Sequence, residues 1–399
     1  MKRNLIYILI GFLFGQGSMF LVQTYLITQN LFELIANVGI ALGLLSLIQW
    51  ATDGGGVFFL SKYEQENSLE QNLGVFIQAR LIIGCSFTCL MLLPLFFFEL
   101  VSDVVIEVFI FSPFVVLIWA FNLTGVADSR NKNKILGPIS GLSWCLSSLL
   151  LFFFYECEYL SYIIGSGYCL GLLFTVFIQI KILKVSVKDL VRFKNLRSCV
   201  RMLKLVLGYT SAYISAQGYA RVIPILISYS IDGVTAGMYV YAKNFTNSIS
   251  QLIIFSRRVE FTKLVSALKF DFKIKDVFFA QKVSLIIALA IGSIIMVFYF
   301  LTFMIDTFQQ YRLVIMFSMV MAALQVLWVF SSSLGQVLVV QDDTRYYSLV
   351  IFFSSFFSMC FIFLFINEVN VFSVFISEAL MFLIQIYFYF KRIKSNDKW

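Results

Sequence analysis

Apolar runs of about twenty residues recur from Ile6 to Phe390, each closed by a short polar turn. A helix of that length crosses a hydrocarbon layer roughly 30 Å thick. Twelve segments can be read this way: 5–27, 35–60, 74–98, 104–124, 135–155, 159–180, 204–229, 233–256, 280–304, 313–340, 346–366 and 371–390. The pattern predicts an all-α polytopic membrane protein with no inserted soluble domain. The first run, Leu5 to Leu26, is too long for a signal-peptide core and no small-residue cleavage site follows it, so it is expected to be a retained helix.

The polar turns carry an orientation. With the N-terminus placed in the cytoplasm, 26 of the 30 Lys and Arg fall on the inner side and only Arg312 falls outside. Basic loops stay cytoplasmic, so both termini are expected there. The outer turns are brief and acidic, with Glu33, Glu99, Asp103 and Asp232 among them. A basic linker, 181–203, divides the chain into an N-terminal six-helix bundle (1–180) and a C-terminal one (204–399). Gln16-Gly17 in the first helix matches Gln217-Gly218 in the seventh, and polarity agrees across the halves. That predicts a pseudo-two-fold axis along the membrane normal, with a passage between the halves. A coincidence of glutamine and glycine is the alternative.

Composition agrees with the class. Apolar residues are 60% and charged residues 13%, against about 25% charged in a soluble domain. The net charge of +8 belongs to the orientation signal, so no nucleic acid is expected as a partner. The seven cysteines show no metal-ligand spacing, and there is no histidine. Gly54-Gly55-Gly56 is not a phosphate loop, because GxxxxGK[ST] is missing. With no triad and no HExxH, neither enzyme chemistry nor a cofactor is expected. A polymerase would need a sizeable outer loop, and the outer turns are too short for one.

The remaining cations, Arg80, Arg221 and Lys243, lie within the apolar segments. Arg221 is eleven residues before Asp232 and Lys243 eleven after it. On helices each sits roughly 16 Å from the turn, near the middle of the layer. A mid-membrane cation costs about 2.5–3.5 kcal/mol, so it needs an anion or a wet cavity. Arg221 and Lys243 are therefore expected to face a passage and bind something anionic. Glu378 is the acid nearest in depth, and a structural pair with it is the alternative. Pro224, one turn after Arg221, can kink the helix and provide a bending point for gating. Arg80 and Asp53 lie at similar depth near the cytoplasmic face. Either they form a salt bridge, or Arg80 guides an anionic head group inward. Gln16, Gln23 and Gln217 are expected to line the passage or to tie helices together. Glu378 and Asp53 are the intramembrane carboxylates available for proton or sodium coupling, beside the membrane potential.

Five stretches carry a family resemblance. They are Gln16-Gly17 running to Thr24-Tyr25-Leu26, Ala51-Thr52-Asp53-Gly54-Gly55-Gly56, Arg221-Val222-Ile223-Pro224-Ile225-Leu226-Ile227, Ala236 to Lys243, and Gly335-Gln336-Val337-Leu338. With them the chain resembles the Wzx-like O-antigen and polysaccharide flippases of the multidrug/oligosaccharidyl-lipid/polysaccharide (MOP) exporter superfamily. The resemblance implies translocation of undecaprenyl-diphosphate-linked oligosaccharide to the periplasmic leaflet. It implies membrane lipids and a polysaccharide polymerase or chain-length machinery as partners. The lipid II flippase branch is a poorer match: it is longer and has arginines in its first helix, where this chain has glutamines. A small-molecule or drug exporter of the same superfamily is the alternative transporter.

Overall fold

The computed structural model describes residues 2–65, 68–97, 102–130, 132–186, 190, 196–267, 277–279, 281–305, 309, 311–341, 343–364 and 371–396. Among them no strand occurs. The first helices are α1 (Lys2–Thr28), α2 (Phe32–Asp53), α3 (Gly56–Gln65), α4 (Leu69–Phe97), α5 (Asp103–Phe109), α6 (Ser112–Trp119), α7 (Thr124–Ser129) and α8 (Asn133–Ile139). They are followed by α9 (Leu142–Phe154), α10 (Leu160–Leu183), α11 (Leu196–Ser230), α12 (Gly233–Ala267), α13 (Lys282–Met304), α14 (Arg312–Val340), α15 (Thr344–Leu364) and α16 (Val371–Asn396). Eight stretches of the described residues are long and apolar enough to cross a membrane.

Three expected spans are interrupted, each for a local reason. The run 35–60 breaks after Asp53, where Gly54 and Gly55 hold φ of 56° and 73°. That left-handed region suits residues without a Cβ. The run 104–124 restarts at α6, where Pro113 occupies the first turn. A proline there lacks only an amide that the helix start does not use. The run 135–155 breaks at Ser140-Gly141. At that point α1 crosses it closely.

This crossing is built on two small-residue pairs four apart, Gly11/Gly15 on α1 and Gly137/Gly141 opposite. A Cβ on Gly11 or Gly141 would come under 3.0 Å from the facing glycine carbonyl. Further along, the Ser148 hydroxyl donates to Ser18 Oγ at 2.8 Å. In lipid, close backbone approach replaces the hydrophobic drive as the source of helix association. Gly141→Val is expected to cost about 3 kcal/mol or more by overpacking. Thermal melting in detergent checks this, with Gly17→Ala as the neutral control, since nothing lies within 4 Å of a Cβ there.

The chain forms two compact units, Met1–Arg221 and Val222–Trp399. The boundary falls inside α11. The reason is packing: Met202 and Val206 join Leu60, Leu73, Phe76 and Val126 in the first unit's core. Cys199, Met202 and Val206 are buried at helical spacing, so the start of α11 presents an apolar stripe to that core. Residues 196–203 are thus helix; Lys188, Arg192 and Lys194 of the linker lie outside the described residues. In the second unit α14 packs against α12, α13 and α16. Phe317 and Phe375 meet edge-on at 5.8 Å, and Tyr239 lies 6.0 Å from Phe375. Ser358 and Ser377 each donate to the other's carbonyl, tying α15 to α16. Ile286, Leu289, Val297 and Phe300 of α13 are exposed, as expected of side chains that meet acyl chains. At the start of α12 the Thr235 amide donates to Asp232 Oδ1 at 2.9 Å. That bond holds the Asp232 carboxyl below its ordinary range.

Candidate functional site

Where α2 stops, Asp53 and Arg80 form a salt bridge of 2.9 Å. Arg80 is only 1% exposed, and its donors are spent on the protein itself. Nε donates to the Asp53 carbonyl at 2.9 Å, and Nη1 to the carbonyls of Ala120 (3.1 Å) and Asn122 (2.6 Å). The guanidinium also lies 4.6 Å from the Phe76 ring centroid. Asp53 is engaged as fully. It accepts from Arg80, from Asn122 Nδ2 at 2.9 Å and from the Gly56 amide at 2.9 Å. Gln179 closes the knot, taking the Leu123 amide on Oε1 at 2.8 Å. The salt bridge is thus the realised alternative for Arg80. Asn122 and Gln179 were not singled out in the sequence, although each is a polar side chain in an apolar run.

Arg221, the last residue of the first unit, lies along α2. Its Cδ is 3.4 Å from where a Gly43 Cβ would stand, and its Cζ is 5.2 Å from the Trp50 ring centroid. Arg221 Nη1 lies 3.5 Å from the same point, so the guanidinium sits against the middle of α2. Elsewhere in the first unit the buried Tyr168 hydroxyl donates to Gln49 Oε1. Tyr168 is in turn braced edge-on by Trp144 at 5.9 Å.

In the second unit Lys243 Nζ is ion-paired with Glu378 Oε1. The expectation of an uncompensated Lys243 is corrected here. Lys243 is ten residues into α12 and Glu378 seven into α16, so their depths differ by only about one turn. Glu378 is 5% exposed and Lys243 16%. Below the pair, Gln325 Nε2 donates to the Thr246 carbonyl at 3.0 Å and to Ser250 Oγ. That glutamine ties α12 to α14.

The other expected site residues are dispersed. Gln16 is half-buried and Gln23 is buried, both on α1. The side chain of Gln217 lies outside the described residues. Pro224 is buried, and α11 runs on past it without interruption. Among the described residues no cluster of His, Cys, Asp or Glu could hold a metal ion.

No family model matches the chain, and no curated protein matches it. Solved structures do. The lipid II flippase MurJ, in an inward closed conformation, matches with a TM-score of 0.73 at 15% identity, over 99% of this chain and 88% of that one. A multidrug resistance MATE family transporter of the MOP superfamily, inward-facing, matches at 0.64 and 14%, over 100% and 96%. The fold of this chain is like that of these two transporters. A MOP superfamily transporter from Pyrococcus furiosus, described as having a binding pocket of reverse polarity, matches at 0.57 and 13%, over 99% and 97%. These identities establish likeness of fold. The likeness of fold and the apolar helices together support a multi-pass membrane protein.

Proposed function

We propose that this protein is a flippase for an anionic lipid-linked oligosaccharide. It carries undecaprenyl-diphosphate-linked repeat units from the cytoplasmic to the periplasmic leaflet of a bacterial inner membrane. The observation that carries the reading is Arg221, a half-buried cation held within apolar helices, against Gly43 and Trp50 of α2. Charge of that kind inside an apolar helix bundle is retained for a substrate. The MurJ likeness supports a lipid-linked substrate. The resemblance to Wzx-like flippases supports surface polysaccharide as the product.

The mechanism proposed is alternating access of the two halves, with the lipid tail left in the bilayer. Arg221 receives the diphosphate. Lys243, in the second unit, exchanges the Glu378 carboxylate for phosphate oxygens during the cycle. In the empty carrier Glu378 neutralises Lys243, which lowers the cost of the return. Moving two negative charges outward releases about 4.6 kcal/mol at 100 mV. Asp53 is bound on both oxygens, so any proton or sodium coupling falls to Glu378.

Arg221→Ala is expected to abolish surface polysaccharide while leaving protein level unchanged. Labelled lipid-linked oligosaccharide in vesicles should then remain on the cytoplasmic leaflet. Normal polysaccharide in both Arg221→Ala and Lys243→Ala cells removes these residues from transport and the flippase reading with them.

A further inference from the structure

The start of α11 has two faces. One is the buried stripe of Cys199, Met202 and Val206. The other carries Arg197, Arg201 and Lys204, all exposed, at i, i+4 and i+7. Val200 and Leu207, each 45% exposed, stand among them. Val200 is one turn from both Arg197 and Lys204, and Leu207 is one turn beyond Lys204. The outer face is thus a ridge of cations flanked by aliphatic side chains.

Such a face is unfavourable in water alone. Arg197 and Arg201 are four apart and Arg201 and Lys204 three apart, spacings at which like charges repel. The first turn of α11 holds Arg197 and no acidic residue, so a cation meets the positive end of the helix dipole. Membrane orientation does not require it. Orientation needs Lys and Arg in the loop, not in register on one helix face.

The end of α10 adds to the charge. Leu183, in its last turn, belongs to the same core as Met202 and Val206, and Lys181 and Lys184 beside it are exposed. Glu64, an acid at this end, is held by Arg130 at 2.7 and 3.1 Å, and Arg130 Nη1 donates to the Leu183 carbonyl at 2.6 Å. Among the described residues none of Lys181, Lys184, Arg197, Arg201 and Lys204 forms an ion pair. Lys181 is 21 residues beyond Leu160, where α10 starts. That is roughly 32 Å along the helix, just past a hydrocarbon layer of about 30 Å and level with the head groups.

We propose that the outer face of α11, with Lys181 and Lys184, is a docking surface for acidic phospholipids of the leaflet on the linker's side. The cations meet the phosphates, and Val200 and Leu207 meet the methylenes next to them. Net negative charge is the selective feature, because a zwitterionic head group brings its own cation to the ridge. The inference goes beyond the flippase reading and does not rest on it, since Arg221 and Lys243 take no part.

The full chain in detergent is titrated with short-chain phosphatidylglycerol, with phosphatidylcholine of the same chain length, and with inorganic phosphate. Wild type is expected to bind phosphatidylglycerol about tenfold more tightly than phosphatidylcholine, by a margin that shrinks in high salt. Arg197→Gln/Arg201→Gln/Lys204→Gln should lose that margin and melt like wild type, because all three side chains are exposed. If it melts early, Arg201→Gln alone decides, with a loss of about threefold expected. Arg197→Lys/Arg201→Lys keeps the charge and should keep the margin. Lys132→Gln/Lys134→Gln/Lys394→Gln removes as much exposed charge elsewhere and should keep it too. No margin in wild type, an unchanged margin without the ridge cations, or an equal loss in the control variant overturns the proposal. Inorganic phosphate binding as tightly as phosphatidylglycerol overturns it as well, since the ridge would then hold any anion.

Discussion

Replacing Arg80 with leucine is expected to destabilise the first unit by about 3–5 kcal/mol, the usual cost of removing one partner of a buried ion pair. The loss has several parts. Asp53 keeps a charge with its cation gone, and the carbonyls of Ala120 and Asn122 lose their donor. Buried acceptors without partners carry their desolvation cost in full. Arg80→Lys should recover only part of this, because an ammonium cannot span a carboxylate and three carbonyls in one plane. The local backbone leaves no slack. A Cβ on Gly56 would come under 3.0 Å from Arg80 Nη2, so Gly56→Ala is expected to disturb the same knot. Thermal melting in detergent, followed by resistance to protease, measures the effect. A wild-type melting point for Arg80→Leu would mean that the guanidinium is not structural and is free to meet a head group.

The second large effect concerns Lys243 and Glu378. Lys243→Met alone should also cost about 3–5 kcal/mol, because it strands a carboxylate that is 5% exposed. The double variant Lys243→Met/Glu378→Leu should regain most of that stability. Apolar residues of similar volume often replace a buried pair without loss. Transport should not return with it. If Lys243 passes from Glu378 to the phosphate during the cycle, the double variant is a stable and inactive carrier. Melting in detergent and leaflet sidedness of labelled lipid-linked oligosaccharide, measured on one preparation, separate the two roles. Wild-type transport by the double variant would reduce the pair to a strut.

Arg80 and Lys243 also mark how far a linear reading reaches. Counting residues from the turns placed Asp53 level with Arg80 and Glu378 close to Lys243, and both pairs form. The depth of each group follows from a rise of about 1.5 Å per residue. What counting could not supply is whether a group at the right depth turns toward its partner or away from it. Arg221 illustrates this. Its ring partner, Trp50, is far away in the chain, and its guanidinium lies against Gly43 of α2. The close approach of Gly11/Gly15 to Gly137/Gly141 was not read from the sequence; only the tertiary structure shows that these backbones touch.

The sequence by itself determined the membrane class, the run of apolar helices and the depth of each buried charge. All three are properties along one axis, set by hydrophobicity and helical rise. The tertiary structure decided the breaks at Gly54-Gly55 and Gly141, the division inside α11, the neutralisation of Lys243 and the seat of Arg221. Those depend on how each helix is rotated about its own axis and which helix stands beside it. Lipid is apolar on every side, so hydrophobic pattern alone places little constraint on either.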